Sequence, residues 1–263
     1  MTFNPQPGRD WLVADFDYDL PAERIAQHPL PDRTASRLML VRPGALEFPE
    51  TTVAGVGAWL RPGDLLVAND SRVIPARLFA RRAGSGGRVE LLLLRRRGDG
   101  SWSALARPAR KLRQGARLEL PPKPGLDAPT ALLEVVETGD EGNVVVTFVD
   151  PADPDLDVYG VPPLPPYITV PLADPGRYQT VYARHDGSAA APTAGLHFTP
   201  ALIESLHAAG IGWADVTLHV GLDTFRPVTA DRVADHAIHS EWCEVSDAVA
   251  RRIARTKRAG GRV

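Results

Sequence analysis

Cysteine is almost missing from this chain of 263 residues: Cys243 stands alone. An internal disulfide is therefore excluded, as is a multi-cysteine zinc site, a usage that fits a reducing cytosol. Long apolar runs are missing too. The N-terminal stretch MTFNPQPGRDWLVADFDYDLP has no signal-like apolar segment, and the most continuous internal run, VELLLL, is far shorter than the roughly 20 residues that span a bilayer. The expectation is a cytoplasmic protein with no membrane partner. GxGxxG, Walker, HExxH, GxSxG and CxxC patterns are all absent, which takes weight from the commonest nucleotide-binding, hydrolytic and thiol chemistries. No internal repeat or low-complexity tract is visible.

What is present is ample apolar content, 44% of the residues, enough for a sizeable core in one large or two ordinary domains. The net charge of −2 conceals a sharp asymmetry. Between Arg72 and Arg117 twelve arginines and Lys111 face only Glu90 and Asp99, a net of +11, whereas Asp140 to Asp174 holds seven acidic residues and no lysine or arginine. Arginine donates two parallel hydrogen bonds to phosphate, so the basic block has the chemistry of a nucleic-acid surface. A solvated arginine-rich face is the alternative that charge alone leaves open.

From about Gly63 the chain becomes a series of short apolar runs: DLLVAND, ARLFARRA, RVELLLLRRR, SWSALARP, ARLEL, TALLEVVET and NVVVTFV. GDG and GDEGN between them are hairpin chemistry, and closely spaced strands of this kind favour a small barrel. The connector DPADPDLDVYGVPPLPPYI follows, its prolines excluding helix. Beyond it Thr199 and Pro200 open a helix closed by Gly210, IGWADVTLHVG reads as a strand, and Ser246 caps a second helix. The expected fold is a mixed α/β (α+β) domain, residues 1–62 and 151–263, with a small antiparallel β-barrel, 63–150, inserted between. Arg262 and Val263 read as the opening of a further strand, so continuation beyond Val263 is expected.

Four clusters carry candidate chemistry. In SAAAPTAGLHFT, Ala190, Ala191, Ala194 and Gly195 leave backbone amides uncovered ahead of a helix, with His197 at the edge of that space; the alternative is a tight buried turn. VTLHVGLDTFRPV delivers His219 from a strand into a loop with Asp223, Thr224 and Arg226, although a strand histidine can equally be a core residue. HAIHSEWCEV places His236 and His239 three apart, but its strand-like tail would not hold a helical metal face. LVANDSRVIPARL gathers Asn69, Asp70 and Arg72, readable as a ligand knot or as a hairpin turn pairing Asp70 with Arg72 or Arg77.

Taken in order, DFDYDLPAERIAQHPLPDRTASRL, VANDSRVIPARL, RPARKLRQGARL, RYQTVYAR, AAPTAGLHFT, VTLHVGLDTFRPV and HSEW resemble the S-adenosylmethionine:tRNA ribosyltransferase-isomerases of the queuosine pathway. The likeness spans nearly the whole chain; Asp223 departs from it, the family more usually having glycine there. The resemblance implies transfer and isomerisation of the ribosyl part of S-adenosylmethionine onto the 7-aminomethyl-7-deazaguanine at the tRNA wobble position, giving epoxyqueuosine, adenine and methionine. S-adenosylmethionine is then a co-substrate, tRNA the macromolecular partner, no metal is required, and a monomer is expected. A positive sulfur acidifies the neighbouring ribose carbon, so the site needs a base; His197 and His219 have suitable side chains. Asn69, Asp70, Arg72, Arg77, Thr193, Gly195, Thr224 and Arg226 are the candidates for substrate binding. Arg95, Arg96, Arg97, Arg107, Arg110 and Lys111 are those for tRNA, and Tyr167, Tyr178 and Tyr182 are possible stacking surfaces. Two other readings stay open: a metal-dependent hydrolase built on His197, His219, His236 and His239, and a tRNA-binding protein without catalysis.

Overall fold

The computed structural model describes residues 10–221, 224, 228–238 and 240–263. The first strands are β1 (Arg37–Met39), β2 (Glu50–Thr52), β3 (Leu65–Asn69) and β4 (Ser71–Val73). Six follow in close succession: β5 (Arg77–Arg82), β6 (Arg88–Arg96), β7 (Trp102–Arg107), β8 (Arg117–Leu120), β9 (Ala131–Thr138) and β10 (Asn143–Asp150). The remainder comprises α1 (Leu156–Tyr159), β11 (Gly160–Val161), β12 (His185–Ser188), α2 (Pro200–Ala208), β13 (Gly212–His219), β14 (Trp242–Glu244) and α3 (Asp247–Arg258).

Strands β5 to β10 form a closed antiparallel barrel in the order β5-β6-β7-β10-β9-β8, with β8 pairing back onto β5 through Arg81↔Glu119 and Arg82↔Leu118. The sequence does this by period-2 alternation. Leu78 and Ala80, Val89, Leu91 and Leu93, Leu118 and Leu120, and Leu133 and Val135 all point inward and are buried, while their neighbours face out. Closure leaves none of the six with a free edge along its full length. Short β11 adds to β5 outside the ring.

The run DLLVAND, grouped by its sequence with the barrel strands, does not join them. As β3 it pairs in parallel with β13, from Leu65↔Gly212 to Asn69↔Val216, and β4 pairs in parallel with β12. A short apolar run marks a strand but carries no information about its partner. Here the partner is fixed by polar contacts across the pair: Gly212 N–H donates to the Asp64 carbonyl at 2.7 Å, and Asn69 reaches Leu218. Residues 63–73 therefore belong with the mixed α/β layer, and the barrel proper begins at Arg77. A second departure lies in the connector, where α1 forms despite the neighbouring prolines. Residues 156–159 contain none, and the Asp155 carboxylate caps the turn by accepting from Asp157 N–H at 2.9 Å.

Both longer helices start on a hydroxyl cap. Thr199 Oγ1 accepts from Leu202 N–H ahead of α2, and Ser246 Oγ from Val249 N–H ahead of α3. α2 buries Leu202 and Leu206 against Val53 and Ile211 in a core separate from the barrel's. After α3 the chain returns to β3: Leu65 N–H donates to the Arg262 carbonyl at 2.8 Å, and the Arg262 guanidinium clasps the buried Asp64, holding its carboxyl well below the usual carboxylate range. The N-terminal segment is pinned by Arg33, which donates to the carbonyls of Gln179, Leu196 and Gly176 at 2.9–3.0 Å. Among the described residues no helix is long and apolar enough to cross a membrane.

Leu133 is fully buried in the barrel. Leu133→Ala is expected to destabilise the protein by about 2–5 kcal/mol, the usual cost of a cavity of that size. Denaturant unfolding followed by circular dichroism measures it, and a loss under about 1 kcal/mol would show that the barrel interior relaxes around the deletion.

Candidate active site

Asn69 and Asp70 tie four strands together. Asn69 Oδ1 accepts from Ser71 N–H and from Leu218 N–H, both at 3.0 Å, and its Nδ2 donates to the Leu218 carbonyl at 2.8 Å. The amide thus does for β13 what another strand's peptide group would do. Asp70 is buried. Its Oδ1 accepts from the Thr217 hydroxyl at 2.8 Å, its Oδ2 lies 3.6 Å from His185 Nε2, and its backbone carbonyl accepts from Arg184 N–H at 2.7 Å. Neither Arg72 nor Arg77 pairs with it; those two face Asp186 and Glu90. The knot anticipated from the sequence is real, but its contacts run between the strands of two neighbouring sheets.

This bracing delivers His219 at the end of β13. Its imidazole stacks on the indole of Trp242, its β14 register partner, with centroids 4.9 Å apart and planes 20° apart. On another side lies Gly187, at φ +145°, where a Cβ would come within 2.7 Å of His219 Nε2. Glycine is needed there twice over, for its backbone conformation and for the space the ring takes. His219 Nδ1 is buried without a hydrogen-bond partner. Burial, reinforced by the positive field of His185, pushes the His219 pKa down, against opposing contributions from Asp70 and Asp186. That shift favours the uncharged, proton-accepting form of the imidazole.

His219 and Trp242 form one wall of a cleft of about 840 Å³. Arg72, Gln179, Asp186 and Gly187 line it from the α/β part, Arg95, Arg96 and Trp102 from the barrel, and Asp153, Asp155 and Asp157 from the connector. Arg96 lies 3.0 Å from Asp153 and Arg72 3.7 Å from Asp186, both pairs solvent-exposed and so weak. The cleft therefore joins a half-buried imidazole, an exposed indole and three arginines drawn from both the barrel and the α/β part.

Residues 13–263 match the family described as Queuosine biosynthesis protein. The S-adenosylmethionine:tRNA ribosyltransferase-isomerase of Halothermothrix orenii is 48% identical over 254 residues, covering 95% of this chain and 72% of that protein. The protein of the same name from Thermosynechococcus vestitus is 46% identical, covering 98% and 72%. This chain belongs to that family. A crystal structure of an S-adenosylmethionine tRNA ribosyltransferase from Thermotoga maritima is 31% identical, covering 94% of this chain and 67% of that one at a TM-score of 0.40.

Of the residues singled out in this family member, His219, Arg72, Arg95 and Arg96 meet at the cleft. His197 does not line it: it ends the 3₁₀ turn Thr193–His197, half-buried, with Nδ1 3.4 Å from the Arg33 carbonyl. The small residues before it are likewise packing. Ala189, Ala190 and Ala191 are buried, and at Gly195 a Cβ would collide with the Tyr182 hydroxyl and come within 2.9 Å of Thr180. Thr193 and Thr224 are exposed and also away from the cleft; Arg226, Asp223 and His239 lie outside the described residues. Arg97 pairs with Glu137 at 3.1 Å, while Arg107, Arg110 and Lys111 are exposed at the base of β7 and just after it. Tyr178 is buried in the core, and Tyr182 is half-buried and sits edge-on to Trp213, the pKa of its hydroxyl pushed up to about 12 by burial; Tyr167 is exposed. Sequence reasoning passed over Trp242 and Trp102, whose only signal was the HSEW and SWSALARP stretches around them, and Gln179, which pairs through both its amide atoms with the backbone of Val73.

The clamp on His219 gives a measurable expectation. Its imidazole should titrate below the ordinary histidine value of about 6.5, and Gly187→Ala should move the midpoint upward by displacing the ring toward water. NMR of the histidine ring protons reads both; a midpoint unmoved by the substitution would mean that Gly187 does not hold the ring.

Proposed function

We propose that the cleft is where this chain carries out the family reaction: the ribosyl part of S-adenosylmethionine is transferred to the 7-aminomethyl-7-deazaguanine at the tRNA wobble position and isomerised, yielding epoxyqueuosine, adenine and methionine. The observation that carries the assignment of the site is His219, clamped between Trp242 and Gly187 in a cleft that Arg72, Arg95 and Arg96 also line. S-adenosylmethionine enters as co-substrate, and its sulfonium acidifies the adjacent ribose C–H. His219 then serves as the general base, a role that asks for an uncharged imidazole near neutral pH. His197, held against Arg33, acts through packing. Arg72 joins the substrate-binding groups, while Asn69 and Asp70 act by holding β13.

The acceptor base lies in a single-stranded anticodon loop, and proteins read such loops by splaying bases into pockets while cations hold the phosphates. Arg95 and Arg96 at the cleft rim and Arg97, Arg107, Arg110 and Lys111 beyond it supply that field. The enzyme is taken to work in the cytoplasm as a monomer without a metal, the barrel acting as a tRNA-binding unit inserted into the α/β part.

Incubation with precursor-bearing tRNA and S-adenosylmethionine should release adenine and add the expected mass to the nucleoside; tRNA binding with no adenine released would overturn the enzymatic reading. In that assay His219→Ala should lower the chemical step about a hundred-fold or more with little change in substrate binding, and near-normal turnover would remove His219 from the role. Reversing charge at Arg95, Arg96 and Arg97 should weaken tRNA binding and flatten its salt dependence while leaving S-adenosylmethionine binding intact. Unchanged tRNA affinity from low to high salt would reduce the basic block to a solvated face.

A further inference from the structure

Trp242 is an unusual surface residue. One face of its indole is covered by the His219 imidazole at 4.9 Å, yet the residue is 53% exposed. With one face stacked, that exposure belongs to the opposite face and the ring edge. Because Trp242 lines the cleft, an open aromatic face is presented to whatever occupies it. The ring is also fixed in place. β14 is registered on β13 through Thr217↔Glu244, Leu218↔Cys243 and His219↔Trp242, and β13 is itself held by Asn69. A flat, exposed and pre-oriented indole in a wet cleft has the properties of a stacking platform, since base–aromatic stacking needs only a π-face on each partner and little ordering on binding.

The reaction brings two bicyclic rings to the site, the adenine of S-adenosylmethionine and the deazaguanine of tRNA, and geometry separates them. On the reading of the site given above, His219 removes a proton from the ribose carbon beside the sulfonium. Adenine is attached to that same ribose, so it must lie within one nucleoside of His219, and Trp242 is the aromatic ring in contact with His219. The tRNA base arrives with its phosphates, and the arginines suited to those, Arg95 and Arg96, belong to barrel strand β6 and not to the β13–β14 pair that carries His219 and Trp242. We propose that the open face of Trp242 is the platform on which the adenine of S-adenosylmethionine stacks. The residue that orients the base by its imidazole contact then also orients the nucleoside whose carbon is deprotonated, and two layers of stacking, adenine on indole on imidazole, set the distance between proton and acceptor.

Adenosine tests this without turnover. The 263-residue protein is titrated with S-adenosylmethionine, adenosine and methionine by calorimetry, and with adenosine by tryptophan fluorescence. Trp242→Ala should weaken S-adenosylmethionine and adenosine about tenfold or more while leaving methionine and tRNA within about twofold; Trp242→Phe should keep most of the affinity. Adenosine should quench emission from the wild type and from Trp102→Phe, the other cleft indole, but not from Trp242→Phe, a readout that survives even if the alanine variant does not fold. No adenosine binding by the wild type, unchanged affinity in Trp242→Ala, quenching that persists in Trp242→Phe, or a loss confined to tRNA would each overturn the platform. A wild type that binds adenosine on Trp242 yet releases no adenine from S-adenosylmethionine with precursor tRNA would uphold the platform and sink the reaction, so the two failures are distinct.

Discussion

The geometry of the cleft depends on one amide side chain. Strand β3 stops at Asn69, and beyond it the chain turns away into β4, so β13 loses its parallel neighbour three residues before His219. The side chain of Asn69 replaces that neighbour by bonding both the N–H and the carbonyl of Leu218. One residue past His219, Ser188 takes over: its hydroxyl accepts from Val220 N–H at 3.0 Å, while Ala189 N–H donates to the Val220 carbonyl. His219 is thus flanked on both sides along the chain by residues whose backbone groups are satisfied from a neighbouring segment, and across the sheet by β14. Removing either prop would leave strand groups to seek water at the point where the ring must stay still.

A second constraint is the closed barrel. Its interior is filled by alternate side chains, so it behaves as a rigid block on which the arginines of β6 are mounted. The connector leaves that block through α1 and returns to it through β11, which pairs Gly160 with Leu78 and Val161 with Arg77. Both ends of the basic wall are therefore anchored. The carboxylates of Asp153, Asp155 and Asp157 stand beside the arginines in the same cleft, so the local field is far less positive than the charge of the block would imply.

The barrel was readable because short apolar runs and hairpin turns at GDG and GDEGN are local signals, and each fell where the chain placed a strand or a turn. What could not be read was partnership. DLLVAND is the same short apolar run whether it closes a barrel or lies parallel to a strand nearly 150 residues away, and only the contacts of Asn69 and Asp64 decide between them. The helix caps at Thr199 and Ser246 were legible for the same local reason. At the cleft, His219 stood out through its strand-to-loop position, whereas SAAAPTAGLHFT reads two ways: small residues that would suit a ligand-lined wall serve equally to let backbone and Tyr182 pack closely, and sequence does not say which surface they meet. Trp242 escaped notice because a single tryptophan in a short polar stretch has no periodicity to mark it.

Gly187 and His219 also have a consequence for how such a site can change over generations. The ring occupies the volume that any side chain at position 187 would need, so the two positions form a single heritable unit. A lineage can replace the imidazole and later fill position 187, but the reverse order passes through an intermediate in which both claim the same space. Such one-way order makes the histidine hard to regain once lost, a ratchet that arises from packing alone.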